Sequence, residues 1–142
     1  MRTGRKKTIE ISFDYDFVLM GIVSSQKSHR LCWEINRKLN IALQRLDDLE
    51  LNLPGRKTVL HFPLYEFEDE ESCRQYYMIG NRDGNSRLVP ENKEIDYFLM
   101  CKGLFEDNTI NFVLSDIKAS DLIQAALVID HQQLKSKQNL IF

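Results

Sequence analysis

At 142 residues, with 43% apolar and 28% charged side chains and a formal charge of −2, the chain fits one soluble domain with a full hydrophobic core. This composition argues against disorder, and the small net charge gives no global attraction for nucleic acid or a membrane surface. Cys32, Cys73 and Cys101 contain no C-x-x-C pair, so reduced thiols are expected, without a zinc site or a disulfide framework.

Met1 to Lys7 is basic and lacks an apolar core, and Phe17 to Val23 is too short to cross a bilayer, so a cytoplasmic protein without a membrane segment is expected. Residues 1–8 read as a flexible basic arm, and residues 9–142 as a single domain ending in a tail over 130–142. Ile9, Ile11, Phe13 and Tyr15 alternate with polar residues, predicting a strand with one wet face. Phe17 to Val23 is continuously apolar and predicts a strand covered on both sides, with Gly21 marking a bulge or a close approach.

Ser24 and Ser25 are placed to cap a helix carrying Leu31, Ile35 and Leu39, with Asn40 as its left-handed stop. Ile41 to Leu46 predicts a strand, and Asp47 to Lys57, with Pro54-Gly55, a loop. Val59 to Phe67 and Arg74 to Asn81 predict a hairpin with the acidic Glu68 to Glu71 between its arms, and Arg82-Asp83-Gly84-Asn85 a turn. Ile95 to Lys102 resumes a strand. Asp107 or Asn108 caps a second helix bearing Ile110, Val113, Leu114 and Ile117, and Leu122 to Ile129 is again strand-like. This order predicts an α+β fold, a single domain with a mainly antiparallel sheet and two helices packed on one face.

The run Val89-Pro90-Glu91-Asn92-Lys93-Glu94-Ile95-Asp96-Tyr97 resembles the I-P-E-x-x-x-V-D-Y signature that names the IPExxxVDY family of bacterial proteins. Val89 and Ile95 replace its isoleucine and valine, so both positions stay branched and apolar. Gly21-Ile22-Val23-Ser24-Ser25, Arg30-Leu31-Cys32-Trp33 followed by Ile35-Asn36, Phe62-Pro63-Leu64-Tyr65-Glu66-Phe67-Glu68-Asp69-Glu70 and the ending Leu134 to Phe142 also resemble family blocks. The resemblance covers the chain from about residue 9 and implies kinship, but no activity, cofactor or catalytic residue.

Pro90 suits the first position of a helical turn, Glu91 its positive end, and Asp96 and Tyr97 the strand that follows. Pro90, Glu91, Asp96 and Tyr97 are therefore expected to form one corner, either structural or a partner-binding surface. Asp96 needs a partner for its charge, with Arg87 or nearby backbone amides as candidates. His29, His61 and His131 form no catalytic constellation with the carboxylates and are expected at the surface. Ser24-Ser25 lacks the glycines of a nucleophile elbow, Gly80 to Gly84 lacks the Lys-Ser or Lys-Thr of a phosphate loop, and the acidic run lacks the spacing of a calcium loop. No cofactor and no metal are expected.

Three readings of function follow. The first is a small cytoplasmic non-enzymatic protein-interaction or adaptor module with an unidentified protein partner. The second is an RNA-associated accessory protein in which Arg2, Arg5, Lys6 and Lys7 contact phosphates and Tyr65, Phe67, Tyr76 and Tyr77 offer faces to bases. The third is an enzyme with a carboxylate and histidine site from Glu91, Asp96 and His61. The apolar ending Leu140-Ile141-Phe142 is expected to dock, on the protein's own sheet or in a partner's groove.

Overall fold

The structure is a computed structural model that describes residues 17–53, 55 and 57–142. The basic arm with Arg2, Arg5, Lys6 and Lys7, and the strand expected over Ile9 to Tyr15, lie outside the described residues. The described chain is an α+β domain. Its main sheet uses β1 (Phe17–Val23), β2 (Gln44–Arg45), β5 (Leu64–Asp69), β6 (Arg74–Gly80), β9 (Tyr97–Gly103) and β10 (Ala125–Ile129) in the order β10-β1-β9-β6-β5-β2, every pair antiparallel, while β7 (Arg82–Asp83) and β8 (Ser86–Arg87) form a short hairpin apart from it.

Alternation along these strands sends side chains into two apolar layers. On one face Met20, Ile22, Tyr76, Met78, Leu99 and Cys101 pack beneath α1 (Ser28–Leu39) and α2 (Asp107–Lys118), which supply Leu31, Ile35, Ile110, Val113 and Ile117. On the other, Leu19, Ile79, Phe98 and Met100 are covered by β3 (Leu49–Asn52) and β4 (Val59–Phe62), by Leu88, Val89 and Ile95, and by Leu134 and Leu140 of the tail. This second cover explains why Phe17 to Val23 has no polar face. Gly21 is paired on both edges without a bulge; Ile129 and Ile95 close over it so tightly that a Cβ would stand 2.6 Å from the first and 2.8 Å from the second.

Several local expectations are overturned by longer-range contacts. Lys27, not Ser24 or Ser25, precedes α1, because the Ser24 hydroxyl donates to the Leu122 carbonyl at 2.6 Å and accepts from the Gln26 amide at 3.2 Å. The Asn40 stop has φ 54. The strand expected over Ile41 to Leu46 shrinks to β2, since the Asn36 side chain takes the Leu43 amide at 2.8 Å and its carbonyl at 3.2 Å.

The loop expected over Asp47 to Lys57 contains β3, whose Leu49 and Leu51 face the core while β3 pairs with β4. Pro63, with no N–H to donate, separates β4 from β5, and the chain crosses there from the covering layer into the main sheet. The expected single arm from Val59 to Phe67 is thus two strands in different sheets. Glu106, rather than Asp107 or Asn108, precedes α2, and Asp107 instead lies in its first turn, near the positive helix end. The strand expected from Leu122 starts at Ala125 because Ser120 to Ile123 is tied into a turn, the Ser120 hydroxyl accepting from the Leu122 amide at 3.0 Å.

Candidate functional site

The signature run is split between two duties. Pro90 opens a short 3-10 turn, Pro90–Asn92, and the flanking Val89 and Ile95 are buried in the core. Asn81, fully buried after β6, pins this segment: its side-chain amide donates to the Asn92 carbonyl at 3.0 Å and the Ile95 carbonyl at 2.8 Å, and its oxygen accepts from the Val89 amide at 2.9 Å. Asn81 belongs to no motif legible in the sequence. A polar residue closing an aromatic and branched strand just before a turn was the available signal.

Glu91 holds the tail. Its two carboxylate oxygens accept from the Ser136 amide and the Ser136 hydroxyl, both at 2.8 Å. Desolvation opposes its charge, but the amides of Glu91 and Ser136 with the Ser136 hydroxyl outweigh it and hold the carboxyl below its usual range. Asn139 donates to the Leu88 carbonyl at 2.9 Å, and Leu140 is fully buried beneath it. Ile141 is half-buried, and the Phe142 ring, still exposed, meets Tyr77 edge-on at 5.3 Å. The apolar ending is seated on the protein's own sheet.

Asp96 and Tyr97 belong to a cleft of about 500 Å³ at the end of the sheet where β1 and β6 finish and β9 and β10 begin. Its described lining includes Ser24, Ser25, Gln26, Arg82, Asp96, Tyr97 and Gln124, with Pro63 and Gly80 packed against each other. A Cβ at Gly80 would stand 2.7 Å from Pro63, so this wall needs glycine unless Pro63 gives way. Asp96 is ion-paired with Arg82, not Arg87, and accepts from the Ser24 amide at 2.9 Å. Arg87 instead donates to the Lys93 carbonyl at 3.2 Å.

The Tyr97 hydroxyl donates to the Gln26 carbonyl at 2.6 Å. Its burial, together with the nearby Asp96 charge, raises its pKa above the ordinary phenol range, so it stays a donor. The segment leading into α1 is thereby fixed from below by Asp96 and Tyr97, while Arg82, Ser25 and Gln124 stand exposed at the rim. Comparison with known protein families finds no match for the chain, and no curated protein matches it.

The other candidates are dispersed. His61 is the exposed residue of β4, its amide bound to the Asp83 carboxylate at 2.8 Å and its ring 3.8 Å from Glu50, so it does not join Glu91 and Asp96. Glu91 and Asp96 are themselves engaged at different places. His29 is exposed, but His131 is buried: it stacks on Phe17 with ring centroids 4.0 Å apart, and its Nε2 lies 2.7 Å from the Phe17 carbonyl. A polar surrounding sequence concealed this, because the covering partner is more than a hundred positions away. Tyr65 and Tyr76 are buried and Phe67 and Tyr77 half-buried, with Tyr76 packed against Phe67 and Phe105, so these rings are not open platforms for bases.

Proposed function

We propose that the chain is a non-enzymatic protein-interaction module of the cytoplasm and that the cleft around Asp96 and Tyr97 is its docking site for an extended segment of a protein partner. The carrying observation is the division of labour in the cleft. Asp96 and the Tyr97 hydroxyl are committed to holding the wall in shape, whereas the Ser25 hydroxyl and the Gln124 amide are exposed at the rim, beside the Arg82 guanidinium, which pairs with Asp96 through Nη2 and leaves its other N–H groups outward. Preorganised walls with spare hydrogen-bonding groups suit recognition of a peptide main chain, because little ordering entropy remains to be lost on binding. We also propose kinship with the IPExxxVDY family on the resemblance of residues 89–97; the core positions of Val89 and Ile95 support it by giving a physical reason for branched apolar residues there.

Photo-crosslinking tests the proposal. A photoreactive residue at Ser25 or Gln124, in the intact chain in its own cytoplasm, is expected to capture a defined protein, and Arg82→Glu is expected to abolish the capture. Equal capture from a control position at Glu50 on β3 would refute the cleft as the docking site.

A further inference from the structure

The outward side of α1 carries a second surface, unrelated to the cleft. Residues 27–38 hold four cations, Lys27, Arg30, Arg37 and Lys38, against one anion, Glu34, in a chain whose formal charge is −2. Glu34 is buried and turned toward the Ser120 hydroxyl, so it takes no part of the solvent face. Among the described residues Lys27, Arg30 and Lys38 make no salt bridge. Between these charges Trp33 leaves 57% of its surface exposed, beside a hollow of about 540 Å³ whose lining among the described residues is His29, Arg30 and Trp33.

The indole is held in place. Arg37 donates through Nε and Nη2 to the buried Glu34 carboxylate at 3.2 and 3.0 Å, which fixes its guanidinium 5.5 Å from the Trp33 ring centroid. The Arg30 guanidinium lies 6.0 Å from the same centroid. An exposed flat ring flanked by two cations, one of them fixed by Glu34, offers one half of an interaction to a planar group and the other to an anion. A nucleotide unit supplies both at once, its base for the ring and its phosphate for the guanidinium. An acidic peptide would satisfy the cations and leave the indole wet.

We infer that the Trp33 face of α1 binds single-stranded nucleic acid, with Trp33 as stacking platform, Arg30 and Lys27 as phosphate contacts, and Arg37 as the residue that positions the ring. The site differs from the N-terminal Arg2, Arg5, Lys6 and Lys7, which stand in a stretch, residues 1–8, whose sequence contains no aromatic residue. Its strength is salt-dependent and its base preference weak, since every base has a stacking face.

Trp33 is the only tryptophan of the chain, so its emission reports on the site directly. The intact protein is titrated with short oligouridylate, oligothymidylate and poly-glutamate. Both oligonucleotides, or the ribo form alone, are expected to quench the emission; preference for the ribo form identifies RNA as the source. Affinity is expected to fall about tenfold between ~50 and ~200 mM salt, the loss for two to three single-strand phosphate contacts.

Arg30→Glu is expected to remove the quenching without moving the melting temperature. Trp33→Ala, followed by anisotropy of a labelled oligonucleotide, is expected to weaken binding at least tenfold. Absence of quenching at low salt, equal quenching by poly-glutamate, or oligonucleotide binding unchanged in both variants through the N-terminal cations would each overturn the inference.

Discussion

Replacing Asn81 by alanine is expected to cost about 3 kcal/mol. The side chain makes three hydrogen bonds to the segment between Val89 and Ile95, and two of them, to the Val89 amide and the Ile95 carbonyl, are buried. Each buried group left without a partner costs ~1–3 kcal/mol, and the Asn92 carbonyl, only partly buried, adds less because water can reach it. For a domain of this size the loss corresponds to a fall of about 6–12 °C in melting temperature.

Urea unfolding measured on the wild-type and variant chains gives the free energy, and hydrogen exchange at Val89 gives the local effect. Asn81→Asp supplies a directional control: it can still accept from Val89, but a carboxylate would face the Asn92 and Ile95 carbonyls. Its protonated form can donate to one of them, so its folded-state pKa is raised. Its stability is therefore best at low pH and lost as pH rises through that raised pKa. A loss below ~1 kcal/mol for Asn81→Ala, with Val89 exchange unchanged, would refute the pinning role.

Leu140→Ala is expected to lower stability by ~2–5 kcal/mol in thermal or urea melts, because Leu140 is fully buried beneath the sheet. A neutral result would mean that the tail is not seated there. Glu34 and Glu91 both have carboxyl pKa values below the usual range: burial raises each, but hydrogen bonds outweigh it, from Ser120 and Arg37 for Glu34 and from the Glu91 and Ser136 amides with the Ser136 hydroxyl for Glu91. Depressed folded-state values mean that their stabilisation is present above the unfolded carboxyl pKa and lost as pH falls through the folded one, so melting temperature should drop on acidification, less steeply in Glu34→Gln. In the folded chain a thiol reagent is expected to modify exposed Cys73 quickly and to leave Cys101, pushed up to about 12 by burial, and buried Cys32 untouched until denaturation. Reaction of all three at one rate would contradict the packing.

The features legible in the chain's residue order are local and periodic. The apolar stripe of Leu31, Ile35 and Leu39, the second stripe of Ile110, Val113 and Ile117, the left-handed Asn40 and the continuous apolar run of β1 each follow from side-chain spacing or backbone sterics within a few residues. The α+β class followed from the order of these elements. The candidate site did not. Its parts come from residues distant in the chain: Ser24 meets Asp96 across 72 positions, and the Tyr97 hydroxyl meets the Gln26 carbonyl across 71.

Local pattern also misled wherever a side chain competed with the backbone for the same partner. Asn36 captured the Leu43 groups that a ladder would have used, Ser24 bonded to Leu122 instead of capping α1, and Pro63 redirected an apparently continuous strand into a second layer. Hydrophobic spacing selects which face is buried. Only the assembled sheet decides which polar groups converge at its end, because satisfying a buried amide or carboxylate depends on what the rest of the chain brings within hydrogen-bonding distance.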